Sequence, residues 1–331
     1  MSKTTLVITS IASANHPVLR RIADEAARHD IRFILIGDTK SPADFSLPGC
    51  DFYSIERQHD IEDTFSGLLP VKHYARKNLG YLRAIQEGAE IIIETDDDNI
   101  PDETFWAPRH RRQDAHHVTG EGWINVYRYF TSRHVWPRGF PPDLIQAPAP
   151  GTTGITAGDF PVQQGLANGN PDVDAIFRLV QPGEDILFDD LNVATGKNQW
   201  CPFNSQNTTW FREAFPLMYL PSYCSFRMTD IWRSLVAQRV AWTCGWDILF
   251  HKPTVFQERN VHNLMKDFED EIPGYLNNHL MAQKLQELDL PGGPENINAN
   301  LLRCYDMLIG MGLVGLEERE LLTMWTGFFG G

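Results

Sequence analysis

Short apolar runs alternate with segments of helical period over the first hundred residues. "TLVITSI" predicts a buried strand, and "NHPVLRRIADEAARHD" a helix with Asn15 as its N-cap. "IRFILIGD" predicts a second strand, "LLPVKHYARKNLGYLRAIQEGA" a helix closing near Gly88, and "EIIIETD" a further strand. The strands are apolar throughout rather than alternating, which implies a parallel sheet with helices on both faces. In such sheets ligands collect at the carboxyl ends of the strands. Asp38 and the run Asp96–Asp98 both fall there.

Roughly residues 134 to 210 are rich in Pro, Gly and Asn and predict long ordered loops with short strands, because aromatic and aliphatic residues are interspersed. A helix is predicted near "RMTDIWRSLVAQRVA" and a strand near "WTCGWDILF". From about Leu264 the chain reads as helical to its end, interrupted by "LPGGPEN". No internal repeat or low-complexity segment is found.

Composition narrows the class. The 331 residues, 42% hydrophobic and 22% charged, suffice for one large α/β domain or two small ones. A formal net charge of −14 argues against nucleic acid and an anionic membrane surface as partners. No apolar run approaches about 18 residues, so no membrane span is expected, and the opening segment does not suit a signal peptide. The five cysteines are scattered without CxxC spacing, as expected of reduced thiols in a cytoplasmic protein.

The densest charge is "ETDDDN" at residues 94 to 99. Adjacent carboxylates about 4 Å apart repel by about 4 kcal/mol at an effective dielectric near 20. On an extended strand Asp96 and Asp98 share a side, with Asp97 facing away. Two hard oxygen donors at a strand end suit Mg²⁺ or Mn²⁺ completed by substrate phosphates. The alternative is an acidic cap for the next helical turn, within "DNIPDE".

Together with "ARKNLGYLRAIQEGAEIII", this run resembles a GT-A glycosyltransferase pattern: Arg-Lys-Asn-x-Gly on a helix, a Gly turn, a strand, then Asp-x-Asp. More specifically the chain resembles the STELLO-type glycosyltransferases, whose signature includes "GDTKSP" after the second strand. A fainter similarity runs to the reversibly glycosylated polypeptides, which are UDP-arabinopyranose mutases, through the three acids, "RGFP" and "DIW". The resemblance covers about residues 4 to 275, with its core from Val71 to Asn99.

The resemblance implies a Rossmann-like GT-A fold. It would comprise a nucleotide-binding half over 1–133, an acceptor half over 134–275 and a helical C-terminal appendage over 276–331. It implies that Asp38 contacts uracil or ribose, that Ser10 and Ile11 line the base pocket, and that Arg76 and Lys77 lie near the diphosphate. A solvated helix face is the alternative for the last two. Asp96 and Asp98 take the ribose and metal roles, and Asp97 counts with the nucleotide-binding residues. Asp230 would be the base that deprotonates the acceptor hydroxyl, with a helix N-cap as its alternative. His262 would be a third metal ligand or else a cap or core histidine, and Arg259 beside it could reach a phosphate. Arg138 could carry sugar, bind phosphate or bridge loops. "HRRQDAHH" at 110–117 is expected to be a solvated basic helix end, and Trp232, adjoining Asp230, a sugar-stacking candidate.

The function expected is metal-dependent transfer of a sugar from a nucleotide diphosphate, a UDP-sugar by preference, to an unidentified acceptor, inverting if Asp230 is the base. The alternatives are a nucleotide-sugar mutase or self-glycosylating protein, and a non-catalytic sugar-nucleotide binder.

Overall fold

In this computed structural model the described residues are 3–181, 183, 185–258 and 263–330. The strands are β1 (Thr4–Thr9), β2 (Arg32–Ile36), β3 (Asp51–Tyr53), β4 (Ile91–Thr95), β5 (Asn99–Pro101), β6 (Arg112–Val118) and β7 (Gly122–Trp123). They continue with β8 (Thr152–Asp159), β9 (Val162–Gly169), β10 (Asn192–Thr195), β11 (Gln199–Trp200), β12 (Asn207–Phe211) and β13 (Ile248–Gln257). The helices are α1 (Pro17–Arg28), α2 (Ile55–Gln58), α3 (Asp63–Leu68), α4 (Lys77–Gln86) and α5 (Tyr127–Phe130). After them come α6 (Ala175–Val180), α7 (Thr229–Thr243), α8 (Leu264–Glu287), α9 (Ile297–Gly310) and α10 (Glu318–Gly327).

The main sheet runs β3-β2-β1-β4-β12-β9-β13-β10-β6-β8, with β5 paired to β13. Its first four strands are parallel, as the apolar runs of β1, β2 and β4 predict, with β3 an addition the sequence reading did not make, and the remainder is mixed. The order 3-2-1-4 reverses direction between β1 and β4, the switch point where open α/β sheets bind ligands. Helices and sheet give the α/β class expected.

Helix α1 buries Leu19, Ile22, Ala23 and Ala26, spaced for one face. Pro17 starts it, and His16 rather than Asn15 holds the N-cap position, without a side-chain bond. The next predicted helix is shorter than expected: a 3₁₀ turn over Tyr74–Arg76 leads into α4. It closes as expected at Gly88, whose φ of 83° suits a residue without a Cβ. At Gly80 the reason for glycine is contact: a Cβ there would stand 2.5 Å from Val7 Cγ1 and 3.0 Å from Ile36 Cγ1. Helix α4 therefore lies directly on β1 and β2.

The segment 110–117 is not a helix end. It enters β6, where Ala115 is buried and the charged residues point to the more open side. The predicted boundary at 275/276 falls inside α8, and Leu301, Tyr305 and Trp325 of α9 and α10 join the core cluster that contains Phe65 and Tyr219. Buried Glu318 ties α10 down by accepting the backbone N–H groups of Ser222 at 2.9 Å and Tyr223 at 2.7 Å. The five cysteines are all free. Among the described residues no helix is long and apolar enough to cross a membrane.

Candidate functional site

Strand β4 stops at Thr95, and a turn begins there, with Asn99 N donating to Asp96 O at 3.3 Å. Because the acids lie in the turn and not on the strand, strand alternation does not apply. Asp97 does not face away: all three acids line one cavity of about 330 Å³. Each has a different partner. Asp96 Oδ1 receives Lys77 Nζ at 2.9 Å, Asp97 receives the Ser10 hydroxyl, and Asp98 Oδ2 receives Gln257 Nε2 at 3.2 Å. The capping alternative belongs to Asp102, which accepts Thr104 N at 2.7 Å and Phe105 N at 3.1 Å. Burial pushes the Asp96 carboxyl up to about 6; Asp98 and Asp97 add to the rise, and Lys77 opposes it.

Each polar residue of the Arg-Lys-Asn-x-Gly stretch is spent on structure. Arg76 is buried and donates to Gln58 Oε1 at 2.6 Å, Leu69 O at 2.8 Å, Ser66 Oγ at 3.1 Å and Ser66 O at 3.4 Å. That corrects the expectation of a solvated helix face; Arg76 nevertheless lines the second cavity, at the carboxyl ends of β1 and β2. Lys77, fully buried, also donates to Thr95 O at 3.2 Å, so it holds the acidic turn from behind. Asn78 exchanges two hydrogen bonds with the backbone of Leu220, at 2.8 and 2.9 Å.

A second cavity, of about 480 Å³, opens at the carboxyl ends of β1 and β2. Ser10, half-exposed Ile11 and Asp38 line it together. Asp38 accepts Thr39 N at 2.6 Å and His73 N at 3.2 Å, fixing the loop that enters the 3₁₀ turn. The sequence reading missed the aromatic wall of this cavity. The His73 and Tyr74 rings lie 5.2 and 4.9 Å from that of Phe226, in edge-on geometry. Thr9, Tyr74, Asp97 and Phe226 line both cavities, so the two are continuous at the acidic turn.

On the far side of the first cavity stands Asp230. It is the second residue of α7, whose N-cap position is Met228, so the N-cap alternative does not hold. Its carboxylate receives Arg138 Nη2 at 2.8 Å, the Tyr74 hydroxyl at 3.1 Å and Ser205 N at 3.3 Å. Burial raises its pKa, but the guanidinium groups of Arg138, Arg233 and Arg227 together outweigh burial, so the group lies below the ordinary carboxylate range. Arg138 also grips Asp172 through two bonds at 2.8 and 2.9 Å and donates to Arg227 O. Of the three roles open to it, the geometry is that of a bridge between the loop after β9 and α7.

Glu94, also missed, sits fully buried on β4 two residues before the turn. Arg233 on α7 grips it at 2.8 and 2.9 Å, and Trp210 Nε1 donates to it at 2.9 Å. A carboxylate inside "IIIET" signals a buried cation partner, because an isolated one would be too costly to bury. This pair locks the helix carrying Asp230 to the strand carrying the acids. Trp232 is core: its Nε1 donates to Asn278 Oδ1 at 2.8 Å, which removes it as a stacking platform.

His262 and Arg259 lie outside the described residues. Among the described residues no group of three or more His, Cys, Asp or Glu side chains could by itself hold a metal ion. Beside Asp98, however, Gln257 Oε1 and Asn99 Oδ1 are buried without a hydrogen-bond partner. Hard, unpartnered oxygens next to carboxylates fit Mg²⁺ or Mn²⁺. Asp96 fits less well than Asp97 and Asp98, since Lys77 already neutralises it.

Residues 227–327 match the family model of the STELLO glycosyltransferases. The chain is 30% identical over 265 residues to "Probable glycosyltransferase STELLO2" of Arabidopsis thaliana, covering 74% of this chain and 34% of that protein. It is 31% identical over 242 residues to "Probable glycosyltransferase STELLO1" of the same plant, covering 67% and 31%. The chain thus spans about a third of the length of the curated relatives it matches. The resemblance to the STELLO-type glycosyltransferases is therefore found both in the family model and in these relatives. Among solved structures, glucosyl-3-phosphoglycerate synthase from Mycobacterium tuberculosis in complex with phosphoglyceric acid is similar at TM-score 0.43 and 11% identity, over 83% of this chain and 79% of that one. The same enzyme in complex with Mn²⁺ and UDP-glucose gives TM-score 0.43 and 11% identity, over 83% and 78%. A likeness that distant places no site.

Proposed function

We propose that this chain is a glycosyltransferase that moves a sugar from a nucleotide diphosphate, a UDP-sugar by preference, to an acceptor hydroxyl with the help of Mn²⁺ or Mg²⁺. One observation carries the reading: the acidic turn lies at the sheet's switch point and joins two cavities, one with an aromatic wall and the other holding Asp230. A cavity of about 480 Å³ lies within the usual range for small-molecule sites. The relatives' names support the same activity.

In this reading Ile11, Tyr74 and Phe226 enclose the nucleoside, and Asp38 orients it. Asp97, Asp98 and Gln257 would hold the cation, which when bound neutralises the diphosphate as it leaves. Asp230 remains ionised at neutral pH because of Arg138. It accepts a hydrogen bond from the acceptor hydroxyl and takes its proton as the new bond forms on the opposite face of the sugar, giving inversion. Arg138 positions that carboxylate. With four of its donor contacts already made inside the protein, it is poorly placed to carry sugar itself.

Calorimetry of UDP binding in Mn²⁺ and in EDTA tests the metal role, with tight binding expected only with Mn²⁺. Equal affinity in both buffers would remove it. Incubation with UDP-sugars then separates the activities. Free UDP and an inverted product from an added acceptor support the proposal, whereas a sugar-sized gain in the protein's own mass would favour self-glycosylation.

A further inference from the structure

On one face of the mixed half of the sheet a row of amides and an imidazole replaces aliphatic side chains. Gln163 pairs in register with Leu249 on one side and Thr209 on the other, and Asn192 pairs with His251. The reverse face buries Val162, Trp210, Ile248 and Phe250 in the main core. The polar row is organised. Gln163 Nε2 donates to His110 O at 2.8 Å, and Gln113 Nε2 to Gln163 Oε1 at 3.0 Å. These bonds tie the loop carrying Arg109 down onto the sheet, and a cavity of about 320 Å³ opens there. None of its lining residues lines either cavity at the acidic turn.

The charges around this cavity do not balance. Arg109 donates to Ala107 O at 2.7 Å and Thr209 Oγ1 at 3.3 Å, and its guanidinium lies over the Phe105 ring at 5.3 Å. Among the described residues no carboxylate lies within ion-pair distance of it. Burial pushes its pKa down to about 10, as expected of a cation desolvated without a counter-ion, with Asp102 opposing. Lys252 stands on the same rim because β13 bulges. His251 pairs with Gly165 and Val255 with Ala167, so three residues of β13 stand opposite one of β9. Lys252 pairs at 2.8 Å with Asp190, the lining carboxylate, which is 74% exposed. Two cations thus face one solvated anion. His251 is neutral at pH 7: burial, then Arg109, holds it down to about 4. Its Nδ1 contacts Lys252 O at 2.9 Å, which as a donor leaves Nε2 as an acceptor.

We propose that the cavity bounded by Arg109, His251, Lys252 and Asn192 binds a phosphate group, either free or on a small phosphomonoester, at a site separate from the acidic turn. Arg109 supplies planar N–H donors and Lys252 a point charge, while Asn192 only lines the cavity, its Nδ2 already donating to Asp114 O at 3.0 Å and Gln113 Oε1 at 3.5 Å. His251 Nε2 can accept the P–OH proton of a monoanion. The site does not depend on glycosyl transfer.

Calorimetric titration with inorganic phosphate and, separately, methyl phosphate tests this. The titrations are run in EDTA at constant ionic strength, so that no cation can recruit phosphate to the acidic turn. Saturable binding is expected, and Arg109→Gln and Lys252→Gln should each weaken it by about 10- to 100-fold, the worth of charge-assisted hydrogen bonds. Competition between the two probes, with methyl phosphate equal or tighter, identifies the ester as an accepted source; loss of methyl phosphate binding alone restricts the site to free phosphate. Absence of saturable binding, or unchanged affinity in both variants, overturns the proposal. If Arg109→Gln does not fold, Lys252→Gln, on the solvent-facing rim, decides alone.

Discussion

Replacing Gly80 by alanine sets two effects of similar size against each other, and the structure says which wins. In a solvated helix interior, Gly→Ala gains about 1 kcal/mol from helix propensity. At Gly80 the new Cβ would stand 2.5 Å from Val7 Cγ1 and 3.0 Å from Ile36 Cγ1. Carbon pairs are best near 3.5–4.0 Å, so the overlap is about 1 Å, against branched core residues with little room to turn. Overpacking of that kind costs about 1–3 kcal/mol, so the net expectation is between no change and a loss of about 2 kcal/mol. Relief requires α4 to lift by a fraction of that overlap to all of it. The lift carries a functional consequence, because Lys77 at the start of α4 reaches Asp96 at 2.9 Å and has only a few tenths of an ångström before that bond leaves hydrogen-bond range.

Urea denaturation of the wild type, Gly80→Ala, Val7→Ala and the double variant measures both parts. The double-mutant cycle should show the two changes compensating, because removing the Val7 methyl groups makes room for the new one. UDP affinity should fall in the single Gly80→Ala variant and recover in the double variant. A variant about 1 kcal/mol more stable than the wild type would mean propensity acts alone, and the close approach of α4 would be refuted as the reason for this glycine.

Three further outcomes follow from the site. Asp230→Asn should lower transfer by about 10²-fold or more while UDP affinity, measured by calorimetry, stays near wild type; wild-type turnover would remove it as the base. Lys77→Met leaves Asp96 without its cation. It should destabilise toward the lower end of about 3–5 kcal/mol in urea, since Asp96 is part-exposed, and Lys77→Met with Asp96→Asn should recover part of that loss. Asp96 has a folded pKa near 6, above its unfolded value, so the folded state binds more protons between about pH 4 and 6 and the carboxylate's contribution to stability falls as pH rises through that window. His73 and His251, both held down to about 4, act in the opposite sense. The stability difference between wild type and Asp96→Asn isolates the acid, and it should shift in favour of the variant as pH rises from 4 to 6.

Strand positions in the nucleotide half were legible because β1, β2 and β4 are apolar on both faces, and local sequence decides that. So was the helix stop at Gly88, which a left-handed residue requires. Asp38, Ser10 and Ile11 fall at strand ends by chain order alone, and the structure brings them to one cavity. The start of α4 was less legible. Pro70 and Lys72, the latter held at φ 57°, keep the approach to Tyr74 out of helix although the apolar spacing continues through it. Strand β6 was hidden because few of its side chains are buried, so a run of charges carried no period.

The direction in which a charged residue points was the least legible property, and the reason is the distance in sequence to its partner. Lys77 finds Asp96 19 residues away, Arg138 finds Asp230 92 residues away, and Arg233 finds Glu94 139 residues away. A basic residue at the start of a helix reads the same whether it meets solvent, a diphosphate or a buried acid. What distinguishes them is the cost of burial, which only a partner can offset. That cost also makes the partners useful. Lys77 fixes the acidic turn, Arg233 fixes α7 against β4, and Arg138 fixes the Asp230 carboxylate. Three ion pairs, two of them buried on both sides, thereby hold the two ends of the proposed reaction in one frame. The acids proposed for chemistry, Asp97, Asp98 and Asp230, share one cavity with Asp96 and Asp172, which Lys77 and Arg138 hold in place.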